Sequence, residues 1–235
     1  MGGLLEPAAG SLVTYLSPED RRFLLGLGSR RRHPRGELLL RQGDPTGHLL
    51  LITEGWVKIS SSIPGGLELL TGLRGPGHLI GELAALYGAP RGADVHTVET
   101  VELVVITRER FLACLLDRPA ITIALVKQMA DRVSEAENMR RWFAMHDVTK
   151  RIAASLLHLA QQHGVEGPAG LVIRIPLTQQ DLANHVGATR RSVARAMTAL
   201  RERGLITAAN RRHVVPSLEE LRAFLEESPN GVAPV

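Results

Sequence analysis

The chain has 235 residues, 44% hydrophobic and 22% charged, the make-up of a soluble globular protein of one or two domains. Its single cysteine, Cys114, excludes a disulfide framework and a four-cysteine iron–sulfur or zinc site, and no apolar run reaches the ~18 residues of a membrane span. The net charge of +4 is unevenly spread: Val148 to His213 carries ten Lys/Arg against three Asp/Glu, the remainder 18 against 21, so any polyanion partner belongs to the C-terminal third.

Residues 1–17 are rich in Gly, Ala and Pro, lack the basic start and apolar core of a signal peptide, and are expected to be loosely held in a cytoplasmic protein. Ser17-Pro-Glu-Asp20 starts a helix with Leu24, Leu25 and Leu27 as its apolar surface. From Gly36 to Thr107 the texture changes. Short β-prone runs at 37–41, 48–53, 55–61, 67–73, 94–98 and 101–107 alternate with turn signals such as Gly43-Asp44-Pro45 and Gly75-Pro76-Gly77. Even spacing of strands and turns predicts a small β-barrel or roll.

After Thr107 the period becomes helical. Residues 107–116 make one helix, in which Cys114 reads as a small buried hydrophobe, and Pro119 suits the first turn of a long helix reaching His146. Val126, Met129, Val133, Ala136 and Phe143 form a narrow stripe along it, the shape of a coiled-coil seam. Such a stripe pairs two copies in a two-fold dimer or packs on the chain's own barrel. His146 to Thr149 reads as a hinge, 150–163 as a helix, 164–170 as a turn and 171–175 as a strand.

Two short helices joined by a glycine follow. Thr178 and Asp181 have capping-box spacing; Leu182, Ala183 and Val186 share one face; Gly187 stops the first helix where a positive φ is cheap. Thr189 caps the second helix, which seats itself through Val193, Met197 and Leu200. Arg190, Arg191, Ser192, Arg195 and Thr198 are left pointing outward, with no acidic residue among them. A helix-turn-helix that reads DNA needs that arrangement, whereas an ordinary solvated face mixes signs. Leu205-Ile-Thr207 and His213-Val-Val215 then flank a hairpin with Arg211 and Arg212 at its tip, a wing able to reach phosphate, and Ser217 caps a last helix.

A glycine-rich roll, a long helix and a winged helix-turn-helix occur in this order in the catabolite-activator/FNR (CRP/FNR) family of bacterial regulators. Local motifs carry the resemblance from about Leu16 to Val215. Gly81-Glu-Leu-Ala-Ala-Leu86 with Ala89-Pro-Arg91-Gly92-Ala93 resembles the phosphate-binding cassette of cyclic-nucleotide domains. Asp147-Val-Thr149 and Arg151-Ile-Ala153 resemble the hinge and first DNA-domain helix, and Thr189 to Arg195 the recognition helix.

The resemblance implies an α+β fold. Its parts are a flexible N-terminus at 1–17, a cyclic-nucleotide-binding-like β-roll sensor at 18–118, a dimerisation helix at 119–146, a winged helix-turn-helix at 147–228 and a tail at 229–235. The implied function is that of a dimeric, sequence-specific transcription regulator acting on palindromic double-stranded DNA with RNA polymerase as a partner, not an enzyme. An effector-free regulator, or a ligand-binding module whose basic domain docks a protein, is the alternative. DNA contacts are expected from Thr178, Gln179, Thr189, Arg190, Arg191, Ser192, Arg195, Arg211 and Arg212. Family members often carry a glutamate where this chain has Arg191; glutamate accepts from cytosine N4, whereas arginine prefers guanine O6 and N7.

A possible cyclic-nucleotide effector would meet Gly81, Glu82, Leu83, Arg91 and Gly92 of the cassette and Glu137 and Asn138 of the long helix. Arg91 can fork onto a cyclic phosphate and Glu82 can accept from a ribose hydroxyl, or the two can form an internal ion pair. The family's two hydroxyl residues for adenine fall at Ala136 and Glu137, with Asn138 next, a departure that argues against cyclic AMP. No metal ligand set is expected.

Overall fold

The structure, a computed structural model, describes residues 6–63, 67–144, 147–209 and 212–227. The chain divides into two compact units, Met1–Ala136 and Glu137–Val235.

The first unit is a roll of two four-stranded antiparallel sheets. One has the order β1-β8-β3-β6, from β1 (Ser29–His33), β3 (Leu49–Glu54), β6 (Leu79–Ile80) and β8 (Val101–Ile106). The other has the order β2-β7-β4-β5, from β2 (Leu38–Leu40), β4 (Val57–Ile63), β5 (Leu67–Arg74) and β7 (Asp94–Thr97). Alternation along β3 and β8 decides the layers. Leu50, Ile52, Ile80, Val101 and Leu103 face the second sheet and meet its Leu40, Val57 and Val95. Leu49, Leu51, Val104 and Ile106 face a helical layer with Leu24, Phe111 and Ile121. A strand buried on both faces explains the unbroken apolar run Leu49-Leu-Leu-Ile52.

The helical layer holds α1 (Pro18–Gly26), α3 (Arg108–Asp117) and the start of α4 (Pro119–Phe143); a short α2 (Glu82–Tyr87) lies in the cassette. Ser17 and Thr107 cap α1 and α3 through side-chain oxygens. Cys114 is buried in this layer, and burial pushes its thiol pKa up, so it is an inert apolar residue.

Residues 6–17, expected to be loose, are fastened down. A 3-10 turn spans Leu12–Tyr15, Leu12 and Leu16 are buried, and the Tyr15 hydroxyl donates to Asp131 at 2.5 Å. The amide of Gln128, fully buried at 0% exposure, anchors this segment. Its Oε1 accepts from the backbone N–H of Leu12 and of Leu79, both at 3.1 Å, and its Nε2 donates to the Leu79 carbonyl at 3.2 Å. Composition showed the Gly, Ala and Pro of the segment but not this anchor.

The expected stripe on α4 is split between two faces. Ile121, Ala124, Leu125 and Gln128 are buried against the roll, with Met129 partly packed beside them. Ile123, Val126 and Val133 are exposed, Val126 at 61% and Val133 at 59%. Phe143, at the far end, belongs to neither: a Cβ built on Gly187 would lie 2.6 Å from its Cε1, so its ring covers that glycine.

The second unit contains α5 (Val148–His163), β9 (Gly164–Gly167), β10 (Gly170–Ile173), α6 (Gln179–Val186), α7 (Arg190–Glu202), β11 (Thr207–Ala209), β12 (Arg212–Val215) and α8 (Leu218–Glu226). Its sheet has the order β11-β12-β10-β9. The stretch 164–170, expected as a turn, is strand β9 and a two-residue connection, with Gly170 at φ +113° opening β10. Asp147 caps α5 by accepting from the Thr149 N–H at 2.7 Å; the preceding His146 of the expected hinge lies outside the described residues. Ile152, Leu156, Leu159, Leu182, Val193, Met197, Leu200, Leu221 and Phe224 are all buried, the apolar faces that seat the helices.

Candidate ligand cavity and nucleic-acid interface

A cavity of about 290 Å³ opens beside the cassette, walled by Leu40, Ile59, Ile80 and Val95 and lined by charged groups. Gly81 takes φ +85° at its edge, and a Cβ there would come 2.6 Å from Arg91 Nη1, so only glycine admits the arginine. Arg91 is buried and three of its five N–H donors are taken by the protein. Nη1 donates to the Gly81 carbonyl at 3.0 Å, Nη2 to the His48 carbonyl at 2.5 Å and Nε to Thr46 Oγ1 at 3.1 Å. Burial pushes its pKa down, with Glu82 and Asp44 opposing.

Glu82, 2% exposed, forms its ion pair with Arg132 of α4 and not with Arg91. Arg132 Nη1 donates to Glu82 Oε1, and Nη2 to the Leu79 carbonyl at 2.6 Å. Further along the wall, Arg74 Nη1 pairs with Glu135 at 2.9 Å and donates to the Leu73 carbonyl at 2.7 Å. Among the described residues, Arg74 Nε, Arg132 Nε and Glu82 Oε2 are buried without a hydrogen-bond partner. Buried polar atoms left in that state are costly and are satisfied by a ligand or water.

The structure therefore brings Gly81, Glu82, Leu83, Arg91 and Gly92 to one cavity. A Cβ on Gly92 meets nothing within 4 Å, so that part of the wall is open. Glu137 and Asn138 are not among its lining; both lie in the second unit, where Asn138 Oδ1 accepts from Arg141. Sequence reasoning missed Arg74, Arg132 and Glu135. A signal was present: Ile121, Leu125, Gln128, Arg132 and Glu135 recur at 3–4 spacing and continue the roll-facing side of α4.

In the second unit, Thr178 and Asp181 form the expected capping box. The Asp181 N–H donates to Thr178 Oγ1 at 3.1 Å, and the Thr178 N–H to Asp181 Oδ2 at 3.0 Å. Gly187 ends α6 at φ +60°. Thr189 Oγ1 accepts from the Ser192 N–H at 3.1 Å and lies 2.9 Å from the Ser192 hydroxyl, which starts α7. These hydroxyls serve the caps first. Arg190, Arg191, Arg195 and Thr198 are exposed on α7, opposite buried Val193, Ala196, Met197 and Leu200. Gln179 is half-buried at the start of α6 and Arg212 half-buried at the start of β12; Arg211 lies outside the described residues. Among the described residues no helix is long and apolar enough to cross a membrane, and no cluster of His, Cys, Asp and Glu could hold a metal ion.

Residues 30–118 match the cyclic nucleotide-binding domain model, and residues 150–224 the Crp-like helix-turn-helix domain model. A curated relative, the CRP-like cAMP-activated global transcriptional regulator of Mycobacterium tuberculosis, is 32% identical over 218 residues, 92% of each chain. The chain belongs to the CRP/FNR family of transcription regulators.

Other CRP/FNR relatives respond to different ligands by their names. The cyclic AMP receptor protein of Thermus thermophilus is 31% identical over 220 residues, 93% of this chain and 96% of that one. The c-di-GMP responsive global regulator CLP of Xanthomonas campestris superposes with a TM-score of 0.73 at 27% identity, over 86% of this chain and 100% of that one. Within this CRP/FNR chain, the cassette falls inside the matched nucleotide domain, α6 and α7 inside the matched helix-turn-helix domain, and Arg132 and Glu135 outside both.

Proposed function

We propose that the chain acts as a homodimeric regulator that reads a palindromic site with α7 and takes a cyclic nucleotide in the cavity beside the cassette. The observation that carries the DNA reading is the face of α7. Three arginines stand free on a helix whose opposite face is buried and whose start is fixed by the Thr189 cap. Arg190, Arg191 and Arg195 contact base edges or phosphate, Gln179 and Thr178 the edge of the site, Thr189 and Ser192 phosphate, and the wing arginines Arg211 and Arg212 the flanking backbone. With arginine at position 191, the half-site departs from that of relatives carrying glutamate there.

The dimer forms along the exposed apolar residues Ile123, Val126, Ala130 and Val133 of α4, which recur with a coiled-coil spacing. Helix α4 is thus the dimerisation helix between a sensor at 18–118 and a DNA-binding domain that begins at Asp147. One helix then carries both the dimer face and Arg132 and Glu135, which reach the cavity's ionic groups. A ligand that changes those ion pairs shifts the population between two dimer states, and no chemical step is needed. RNA polymerase is the partner at the promoter, and the protein works in the cytoplasm.

Arg195→Ala tests the DNA reading. It is expected to weaken binding to the specific duplex by about 1–3 kcal/mol and to relax choice at one base pair, measured by titrating a panel of single-base variants. Uniform weakening across all duplexes would make Arg195 a phosphate contact. No change on any duplex would remove α7 as the reading helix.

A further inference from the structure

We infer that Glu137 and Arg140 give the dimer seam of α4 an ionic end, where the carboxylate of each copy meets the guanidinium of the other. This end selects a second copy of this chain over any other helix with a similar apolar face. The inference rests on the reading of α4 as the dimerisation helix and names what decides its partner.

The exposed residues of α4 keep one register. Ile123, Val126, Ala130, Val133, Glu137 and Arg140 follow one another at steps of 3, 4, 3, 4 and 3, the a and d positions of a heptad, and all six are exposed. The first four are apolar; the last two carry opposite charges. Their neighbours are engaged elsewhere. Met139 is buried at 7% exposure, and Asn138 Oδ1 accepts from Arg141. Glu137 and Arg140 have no ion pair or side-chain hydrogen bond among the described residues, and they do not pair with each other. Two opposite charges thus continue an apolar seam, and both are free to meet a partner helix.

Two α7 helices reach one palindrome only if both DNA-binding domains leave the seam at the same end, so the paired α4 helices run parallel. In a parallel pair, position 137 of one helix lies about 4.5 Å along the axis from position 140 of the other, since each residue rises about 1.5 Å. Glutamate and arginine side chains span that offset, and two-fold symmetry makes the contact twice. Left uncrossed, one layer would hold two carboxylates and the next two guanidiniums, both like-charge contacts. Crossing turns both layers into attractive ones: Glu137 meets the partner's Arg140, and Arg140 meets the partner's Glu137. A helix with other residues at these positions leaves both charges unmatched. The apolar layers therefore supply affinity and the ionic layers supply choice of partner.

Charge reversal in the full chain tests this directly. Glu137→Arg leaves only cations at this end of the seam, and Arg140→Glu leaves only carboxylates. Each variant alone is expected to raise the dimer Kd about tenfold in sedimentation at low salt. High salt, which screens exposed charges, should shrink the difference from wild type. Both positions are exposed, so circular dichroism is expected to show unchanged folding. The two variants, tagged differently and mixed in equal amounts, are then expected to form the heterodimer several-fold above its statistical share, because cations on one copy face carboxylates on the other. A pairing within one helix would give no such preference. A statistical mixture, or single variants that dimerise as wild type does, would overturn the ionic seam while leaving the dimer in place. A wild-type chain that stays monomeric would overturn it together with the dimer reading.

Discussion

Gly187→Ala is expected to destabilise the helix-turn-helix by about 2–5 kcal/mol, from two additive causes. The first is backbone strain: an L side chain at φ +60° costs about 1–2 kcal/mol. The second is steric, because the new Cβ would lie 2.6 Å from Phe143 Cε1, and overpacking of this kind costs about 1–3 kcal/mol. The measurement is hydrogen exchange of the α6 and α7 amides in the full chain, which reports stability of this region separately from the roll. Phe143→Ala in the same chain removes the second cause. The added cost of Gly187→Ala should then fall to the strain alone. An unchanged cost would mean that the ring does not limit the turn.

Gln128→Leu is expected to cost about 2–6 kcal/mol in the first unit. Leucine fills similar space but strands the N–H groups of Leu12 and Leu79 in a site at 0% exposure, and each orphaned donor costs about 1–3 kcal/mol. The Leu79 carbonyl keeps its bond from Arg132 Nη2, so it adds little to the loss. Denaturant titration should show the lower midpoint, and the Leu12 and Leu79 amides should exchange faster than their neighbours. Protection of both amides at the wild-type level would contradict the anchoring role of Gln128. Because Tyr15 also bonds Asp131 on α4, loss of the anchor should free residues 6–17 and leave α4 partly uncovered.

What could be read from the sequence depended on whether the signal was local. The caps at Ser17, Thr178, Thr189 and Ser217 use a side chain and an N–H a few residues away, and all four are present. Strand β1 was missed because Ser29-Arg-Arg-Arg-His33 shows no apolar alternation. Among the described residues it is an edge strand that pairs with β8 alone, and charge there blocks edge-to-edge pairing. Strand β9 was read as a turn because its glycines pack closely: a Cβ on Gly167 would meet Val172 Cγ2 at 2.8 Å. Long-range polar contacts were the least legible. Nothing near Arg91 indicates that the carbonyls of His48 and Gly81 take its donors, and nothing near Glu82 points to Arg132 fifty positions on.

The α4 stripe shows how periodicity alone can merge two faces. Met129 lies at helical spacing from Val126 and Val133, yet it is partly packed on the roll while both valines are exposed. Separating the faces leaves a smaller and more regular apolar surface for a partner copy, and turns the other face into the wall that carries Gln128, Arg132 and Glu135.

The most direct test of the account as a two-fold, sequence-reading regulator is selection of duplexes by the full chain from a random library. The account predicts enrichment of a palindrome whose half-sites lie about one helical turn, roughly 34 Å, apart or a multiple of it, with affinity falling steeply as salt rises. Recovery of no common sequence, or of an asymmetric site bound with no dependence on salt, would contradict it.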